Sequence, residues 1–275
     1  MRIIQFDSLV LPEIATSGWL FNNLVDWYSL TDDKAQSVER PQGHGAFAVN
    51  ASWRSAAAIS FRAVYLADTA AELLAAHEQL TAIGATGPVK ITVTDDLRAT
   101  SRTVTVRSTP VPDSHRALAL EFDVDCLARD PRRYGDPIPS VTGLPTSGTG
   151  LVFPVVFPVD FGTPGDPGRI QMINLGTAPT SPTFTITGGL SSFTLLEITS
   201  GRRLIFNRVI PVGSSVTLNS RTRRAVIDDQ SDVTGFMSSQ EWWTIPPGTT
   251  SVVQFTGTSP VGTPMLTGIV ESSWW

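Results

Sequence analysis

The chain has 275 residues, enough for two domains of about 130 residues each, and at that size folding hides roughly 70–75% of the chain's surface, so hydrophobic cores form without covalent staples. Lys and Arg number 20 against 25 Asp and Glu, for a formal charge of −5, and the balance is 13 to 16 over residues 1–133 and 7 to 9 beyond. With Lys34 and Lys90 as the only lysines there is no cation cluster to release counterions from a phosphate backbone, which excludes a basic nucleic-acid binder, and the single Cys126 excludes an intrachain disulfide.

Asp7 interrupts the apolar residues of the first segment, Met1 to Glu13, and no small-residue cleavage site follows, which argues against a secretory leader. Leu30 to Phe47 is polar and turn-rich, with Asp32, Asp33, Pro41, Gly43 and Gly45, and is expected to be a loop; one of that length inside a compact domain is either functional or disordered. Ile59 to Leu66 has the period of two that marks a strand with one buried face. A helix follows. Thr69 and Glu72 form a capping box, Leu73, Ala76, Leu80 and Ile83 fall on one face, and Gly84 supplies the left-handed residue that ends it. Val89–Val93 and Thr103–Val106 are expected as strands joined around Asp95 and Asp96, and Leu118, Leu120, Phe122, Val124 and Cys126 alternate along another. Antiparallel strands with one helix laid across them are the expected first half.

Tyr134 to Gly150 is rich in Gly, Pro, Ser and Thr and reads as a linker between domains at 1–133 and 151–275. The apolar stretch Leu151 to Phe161 is broken by Pro154 and Pro158 and falls short of the roughly 20 residues of a membrane span, so no membrane insertion is expected. Short strands then recur at Thr183–Thr187, Phe193–Ile198, Leu204–Val209, Ser215–Leu218, Ala225–Ile227, Val252–Phe255 and Leu266–Val270. Turn signals such as Thr199-Ser200-Gly201 and Pro246-Pro247-Gly248 separate them at the spacing of an all-β sandwich.

The residues that catalysis requires do not come together. Only His44, His77 and His115 offer an imidazole; no G-x-S-x-G elbow exists, since Gly189-Leu190-Ser191-Ser192-Phe193 lacks the closing glycine; and Thr81 stands where a zincin helix needs its second histidine after His77. His77 reads as a helix-flank residue, His44 as a loop residue, and His115 sits beside a turn at Pro112 and Asp113. Cys126 lies on the apolar face of its strand and reads as a buried, inert thiol. Asp228, Asp229 and Asp232 resemble part of a calcium loop but lack its glycine and distal glutamate, so a hairpin tip with solvated charges is expected. The reading is of a protein with no enzyme activity, metal or cofactor.

The pairs Trp242-Trp243 and Trp274-Trp275 support two readings. Tryptophan faces on a β-sandwich stack on sugar rings or anchor protein interfaces. Alternatively, adjacent strand residues point to opposite faces, so one Trp of each pair fills the core and the other lies at the surface.

Over residues 174–275 the succession Asn174-x-Gly176-x-Ala178, Pro182-x-Phe184-x-Ile186-x-Gly188, Gly201-x-x-Leu204-x-Phe206 and Val212-Gly213 resembles the C-terminal domain of siphophage distal tail proteins. So do Leu218-x-x-x-Thr222-Arg223, Asp228, Trp243-x-x-Pro246-Pro247-Gly248 and Trp275, while Phe6-Asp7-Ser8 and Ala128-Arg129-Asp130-Pro131-Arg132-Arg133-Tyr134 are similar to the family's first half. The resemblance implies a mainly β protein. Its N-terminal β-sandwich or split barrel, with one flanking helix and a tail-tube-like character, forms a ring, and a galectin-like β-sandwich projects outward.

It further implies a hexameric hub in the virion, at the tip of a long non-contractile tail. The expected partners are copies of itself, the major tail tube protein, a tail-tip or tail-associated protein and the tape measure protein, with DNA passing through the lumen unbound. No catalytic residues come with the family. Candidate contacts to a neighbouring subunit or the tube are Asp32, Asp33, Lys34, Arg40, His44 and Phe47, and candidate exposed aromatic contacts are Trp242, Trp243, Trp274 and Trp275. A carbohydrate-binding or host-adhesion module is the alternative function, and a tail-associated hydrolase a third.

Overall fold

The structure, a computed structural model, describes residues 1–35, 38–47, 53–109, 118–148 and 164–275. His115 and the stretch 151–161 lie outside the described residues. The chain divides into two compact units, residues 1–135 with Trp275, and residues 136–274.

The first unit is built from β1 (Ile3–Phe6), β2 (Leu9–Pro12), β3 (Gly18–Val25), β4 (Ala57–Leu66), α1 (Ala70–Ala82), β5 (Val89–Thr94), β6 (Ala99–Ser108) and β7 (Ala119–Ala128). The strands pair antiparallel in the order β2-β1-β5-β6-β7-β4-β3. β6 joins two halves: its first six residues pair with β5, Thr105, Val106 and Ser108 pair with β7, and the register with β7 shifts between Val106 and Ser108. Such a bulge bends a strand and lets one strand serve two halves. The side chains that alternate inward from every strand form one core, with Phe6 edge-on to Phe61 at 5.3 Å and Trp19 edge-on to Phe122 at 5.7 Å. Val124, Cys126 and Ala128 continue the buried face of β7, whereas Leu118 precedes the strand and is exposed.

The helix starts where the sequence placed it, with the Thr69 hydroxyl accepting from the Glu72 N–H at 3.3 Å. The reciprocal bond of the capping box lands one residue earlier than the usual pattern, the Glu72 carboxylate accepting from the Asp68 N–H at 3.0 Å. Leu73, Ala76 and Leu80 are buried, α1 packs against β4 and β7, and Gly84 at φ 76° turns the chain away. A Cβ at Gly84 would stand 2.5 Å from Val106 Cγ2, so that position requires glycine for space as well as for conformation.

One charged group lies deep in this unit and a second is half-buried. Arg102 on β6 is 2% exposed; its guanidinium donates to the carbonyls of Trp27 and Pro131 and lies 5.0 Å from the Trp27 ring centroid. Burial, reinforced by nearby Arg133, pulls its pKa down to about 10, so it remains a cation at neutral pH. Asp130 accepts from Arg132 and from the Tyr134 hydroxyl. Burial alone would raise its pKa, but these bonds outweigh burial and hold it below the usual carboxylate range. With its folded value depressed, the stabilisation is present above the ordinary aspartate pKa of about 4 and is lost as pH falls through the lower folded value. Asp130→Asn is therefore expected to cost on the order of 1 kcal/mol at pH 7 and to flatten the decline of melting temperature below about pH 4; parallel melting curves for variant and parent down to pH 3 would contradict this.

Burial, with Asp125 alongside, pushes the Cys126 thiol up to about 12. In the native protein Cys126 is expected to react with Ellman's reagent only as fast as the unit opens, and rapidly in guanidinium. Stoichiometric native labelling within mixing time would refute an inert core thiol.

β8 (Arg133–Gly143) begins in the stretch read from sequence as a linker, where Tyr134 is buried and its backbone lies opposite Ser101 of β6. Ser and Thr in this Pro-containing run accommodate extended backbone, and a mostly exposed strand has no apolar alternation to reveal it. The second unit continues with β9 (Arg169–Ile173), β10 (Thr183–Thr187), β11 (Ser192–Glu197), β12 (Arg203–Phe206), β13 (Ser215–Asn219), β14 (Arg224–Ile227), β15 (Ser231–Asp232), the 3-10 turn Thr234–Phe236, β16 (Met237–Gln240), β17 (Thr250–Thr258) and β18 (Met265–Trp274). Within it, residues 136–143 of β8 neighbour β18 in the order β15-β14-β13-β10-β18-β8, and a second sheet has the order β16-β12-β11-β17-β9. Phe184, Phe193, Leu195, Phe206, Leu218, Val253 and Phe255 lie in one core between the sheets, Phe193 and Phe206 stacked at 5.2 Å. Asp228 and Asp229 adopt left-handed φ of 48° and 53° at the tip joining β14 to β15, a conformation aspartate tolerates.

Candidate assembly surface

After β3 the chain leaves the core as an antiparallel arm. At its root Asp26 takes a left-handed φ of 61°, Trp27 is buried, and the Trp27 indole N–H donates to the Thr100 hydroxyl at 3.3 Å. Arg102 grips the Trp27 carbonyl at 2.8 Å, the Tyr28 hydroxyl donates to Asp95 at 2.6 Å, and the Arg133 guanidinium lies 4.7 Å from the Tyr28 ring centroid. Burial first, then the bond to Asp95, raises the Tyr28 pKa, so the phenol stays a neutral donor. The arm is thus clamped to the core where it emerges.

Beyond the root, backbone bonds pair the outgoing and returning chain. Asp33 bridges Arg54, with Lys34 N–H to the Trp53 carbonyl at 2.7 Å and Ser55 N–H to the Asp32 carbonyl at 2.9 Å. Nearer the tip Glu39 bridges Ala46, Arg40 N–H reaches the Gly45 carbonyl, and Phe47 N–H reaches the Val38 carbonyl. Gly45 at φ 81° makes the turn and Arg40 lies 5.8 Å from the Phe47 ring centroid. The segment expected as a loop is therefore hydrogen-bonded in hairpin fashion. Its ladders are short and interrupted, which hides the pairing from a search for apolar alternation.

The arm groups Asp32, Asp33, Lys34, Arg40, His44 and Phe47, all exposed. Sequence reasoning passed over its apolar members: besides Phe47 at 56% exposure, Val38 is 61% and Trp53 70% exposed, and Leu30 and Tyr28 are also open to solvent. Large apolar side chains concentrated on one projecting element are the usual mark of a surface that a partner covers.

The tryptophan pairs are not four exposed contacts. Trp243 is 4% exposed, lies 5.4 Å from the Phe184 ring and belongs to the core of the second unit, which corrects its expected exposure; Trp242, its neighbour, is half-buried with its carbonyl accepting from Arg202. Successive residues point to opposite sides of extended chain, so only one of an adjacent pair faces the core. Trp274 is half-buried at the end of β18 and Trp275 is partly exposed. His77 sits half-buried on α1 and His44 at the arm tip.

Residues 175–262 match the family model described as siphovirus-type tail component, C-terminal domain. The second unit is similar to a siphovirus-type tail component domain. Among solved structures, the SPP1 Dit protein, described as a paradigm of hub adsorption apparatus in phages that infect Gram-positive bacteria, shares the fold over 100% of both chains, with a TM-score of 0.64 at 14% identity. A chain of the phage P2 baseplate in its activated conformation with Ca is similar over 99% of this chain and 98% of that one, with a TM-score of 0.61 at 8% identity. No curated protein matches the sequence. The matched model is described as a tail component, and these neighbours as a hub protein and a baseplate chain. Among the described residues no helix is long and apolar enough to cross a membrane.

Proposed function

We propose that this chain forms the hub ring at the distal tip of a long non-contractile phage tail, joining the tail tube to the tip proteins and leaving a lumen through which DNA passes. The observation that carries the reading is the clamped arm with exposed Val38, Phe47 and Trp53. An element fixed at its root and carrying exposed apolar side chains among its charges suits a head-to-tail contact, and a head-to-tail contact repeated through a closing rotation gives a ring.

On this reading residues 1–133 make the ring, residues 134–150 lead out of it, and residues 151–275 form the outer galectin-like domain. Asp32, Asp33, Lys34, Arg40, His44 and Phe47 reach the adjacent subunit or the tube ring above, and the partners are the tube protein, a tail-tip protein and the tape measure protein. Six copies are expected from the resemblance. The formal charge of −5 per copy supports a lumen that repels DNA and lets it slide. Negative-stain class averages of the purified protein are expected to show sixfold rings; a monodisperse monomer at high concentration, absent from virion tail tips, would overturn the proposal.

A further inference from the structure

The first unit carries a groove of about 370 Å³ at the foot of α1, where the helix ends, the β1–β2 turn passes and β5 begins. Ala82, Pro88 and Val89 give it an apolar wall, the first two exposed and the third half-buried, and Asp7 and Gln79 stand exposed beside them. No lysine or arginine among the described residues lines it. Lys90 follows Val89 on β5, where successive residues face opposite sides of the strand. The last turn of α1 has no basic residue, so the partial negative charge at the carbonyl end of the helix is not neutralised from within it. The Asp7 carboxylate enters no ion pair among the described residues. The groove lies at the small end of the range of about 300–1,000 Å³ for ligand clefts, which is room for one or two side chains.

The arm tip supplies what the groove lacks. Arg40 and Phe47 are both exposed, the guanidinium 5.8 Å from the ring centroid, and Arg40 likewise enters no ion pair among the described residues. A cation beside an aromatic ring is the complement of an apolar wall with an acidic edge. The two features also stand at opposite ends of β5: Val89 opens the strand at the groove, and Asp95, just past its end, holds Tyr28 at the root of the arm. Six residues of strand separate the groove from that root by about 20 Å. A projection at one end and a recess at the other is an arrangement that repeats head to tail. We propose that the groove at the foot of α1 receives the arm tip of a neighbouring copy of this chain, with Phe47 on Ala82, Pro88 and Val89 and Arg40 facing Asp7 and the α1 carbonyls. This inference rests on the ring reading above and names the surface that the arm covers.

The test is cross-linking of the full-length protein carrying Phe47→Cys or Gly87→Cys. Gly87 lines the groove with open space where a Cβ would stand, and the native Cys126 is buried. Treated with a short bismaleimide, each variant alone is expected to stay unlinked, their mixture, reassembled from dilute monomer, to give covalent dimers, and the double variant to give a ladder extending past the dimer. Thr86→Arg, at an exposed position in the groove, sets a second cation against Arg40 and is expected to weaken assembly about tenfold or more while the circular dichroism stays that of the parent. Gly87→Cys chains that link to one another, or a ladder that ends at the dimer, overturn head-to-tail docking. Rings that appear in class averages but give no link between positions 47 and 87, or that assemble unchanged with Thr86→Arg, overturn this inference and leave the ring reading standing. A parent chain that never assembles overturns both.

Discussion

On the proposed ring assembly, Phe47→Asp combined with Trp53→Asp is expected to yield monomers at concentrations where the parent chain assembles. Both side chains project from the arm, 56% and 70% exposed, and neither belongs to a core. Covering a Phe or Trp in an interface contributes roughly 1.5–3 kcal/mol, and an aspartate in its place adds the cost of burying a charge without a partner. The loss is about 3–6 kcal/mol per interface, which corresponds to about two to four orders of magnitude in association. It recurs at every interface around a closed ring. Light scattering after size exclusion checks the mass, and circular dichroism should be unchanged, since the arm is anchored by Trp27, Arg102 and Tyr28 and not by its tip. Leu97→Asp is the matched control: Leu97 is 92% exposed at the β5–β6 turn, outside the arm, and its replacement should leave assembly intact. Rings that persist in the double variant at parent concentrations would remove the arm from the interface.

The parts of the fold that were legible in sequence are those where burial imposes a period. β4, β7, β10 and β13 emerge from alternation, and Leu73, Ala76 and Leu80 from helical spacing, because each has one face in a core. β8 and the arm were read as linker and loop. Their backbones are extended and paired, but most of their side chains face solvent, so the chain carries no apolar record of the pairing. β2, four residues long, places only Leu9 and Leu11 in the core, too few positions to establish a period. The candidate site was half legible for the same reason: charges at Asp32, Asp33 and Arg40 marked the segment as surface, while Val38 and Trp53 acquire meaning only once both are seen exposed on one arm. Trp243 shows the converse, a residue whose type suggests contact and whose surroundings make it core.

Asn174→Ala is expected to be among the most damaging single changes in the second unit. Asn174 is fully buried where β9 ends, and its amide is used on both sides. Nδ2 donates to the carbonyls of Ala178, Ile245 and Pro246, while Oδ1 accepts from the N–H groups of Gly176 and Ser273. One side chain therefore ties the segment after β9, the Pro246-Pro247-Gly248 turn and the end of β18. Gly176 completes the junction, because a Cβ there would stand 1.7 Å from the Ser273 carbonyl oxygen. This gives the motif Asn174-x-Gly176-x-Ala178 its physical content: a donor–acceptor hub followed by a residue over which another strand passes in contact. Truncation leaves several buried backbone groups short of a partner at about 1–3 kcal/mol each, so a loss of about 3–5 kcal/mol is expected. Asn174→Asp should fare no better at pH 7, since it keeps the acceptor and turns a carboxylate toward three carbonyl oxygens. Guanidinium unfolding followed by fluorescence is the measurement, and the transition of the second unit should move while that of the first, probed through Cys126 labelling, stays in place. A shift of less than about 1 kcal/mol for Asn174→Ala would mean that water replaces the amide and that the junction is held by the strands alone.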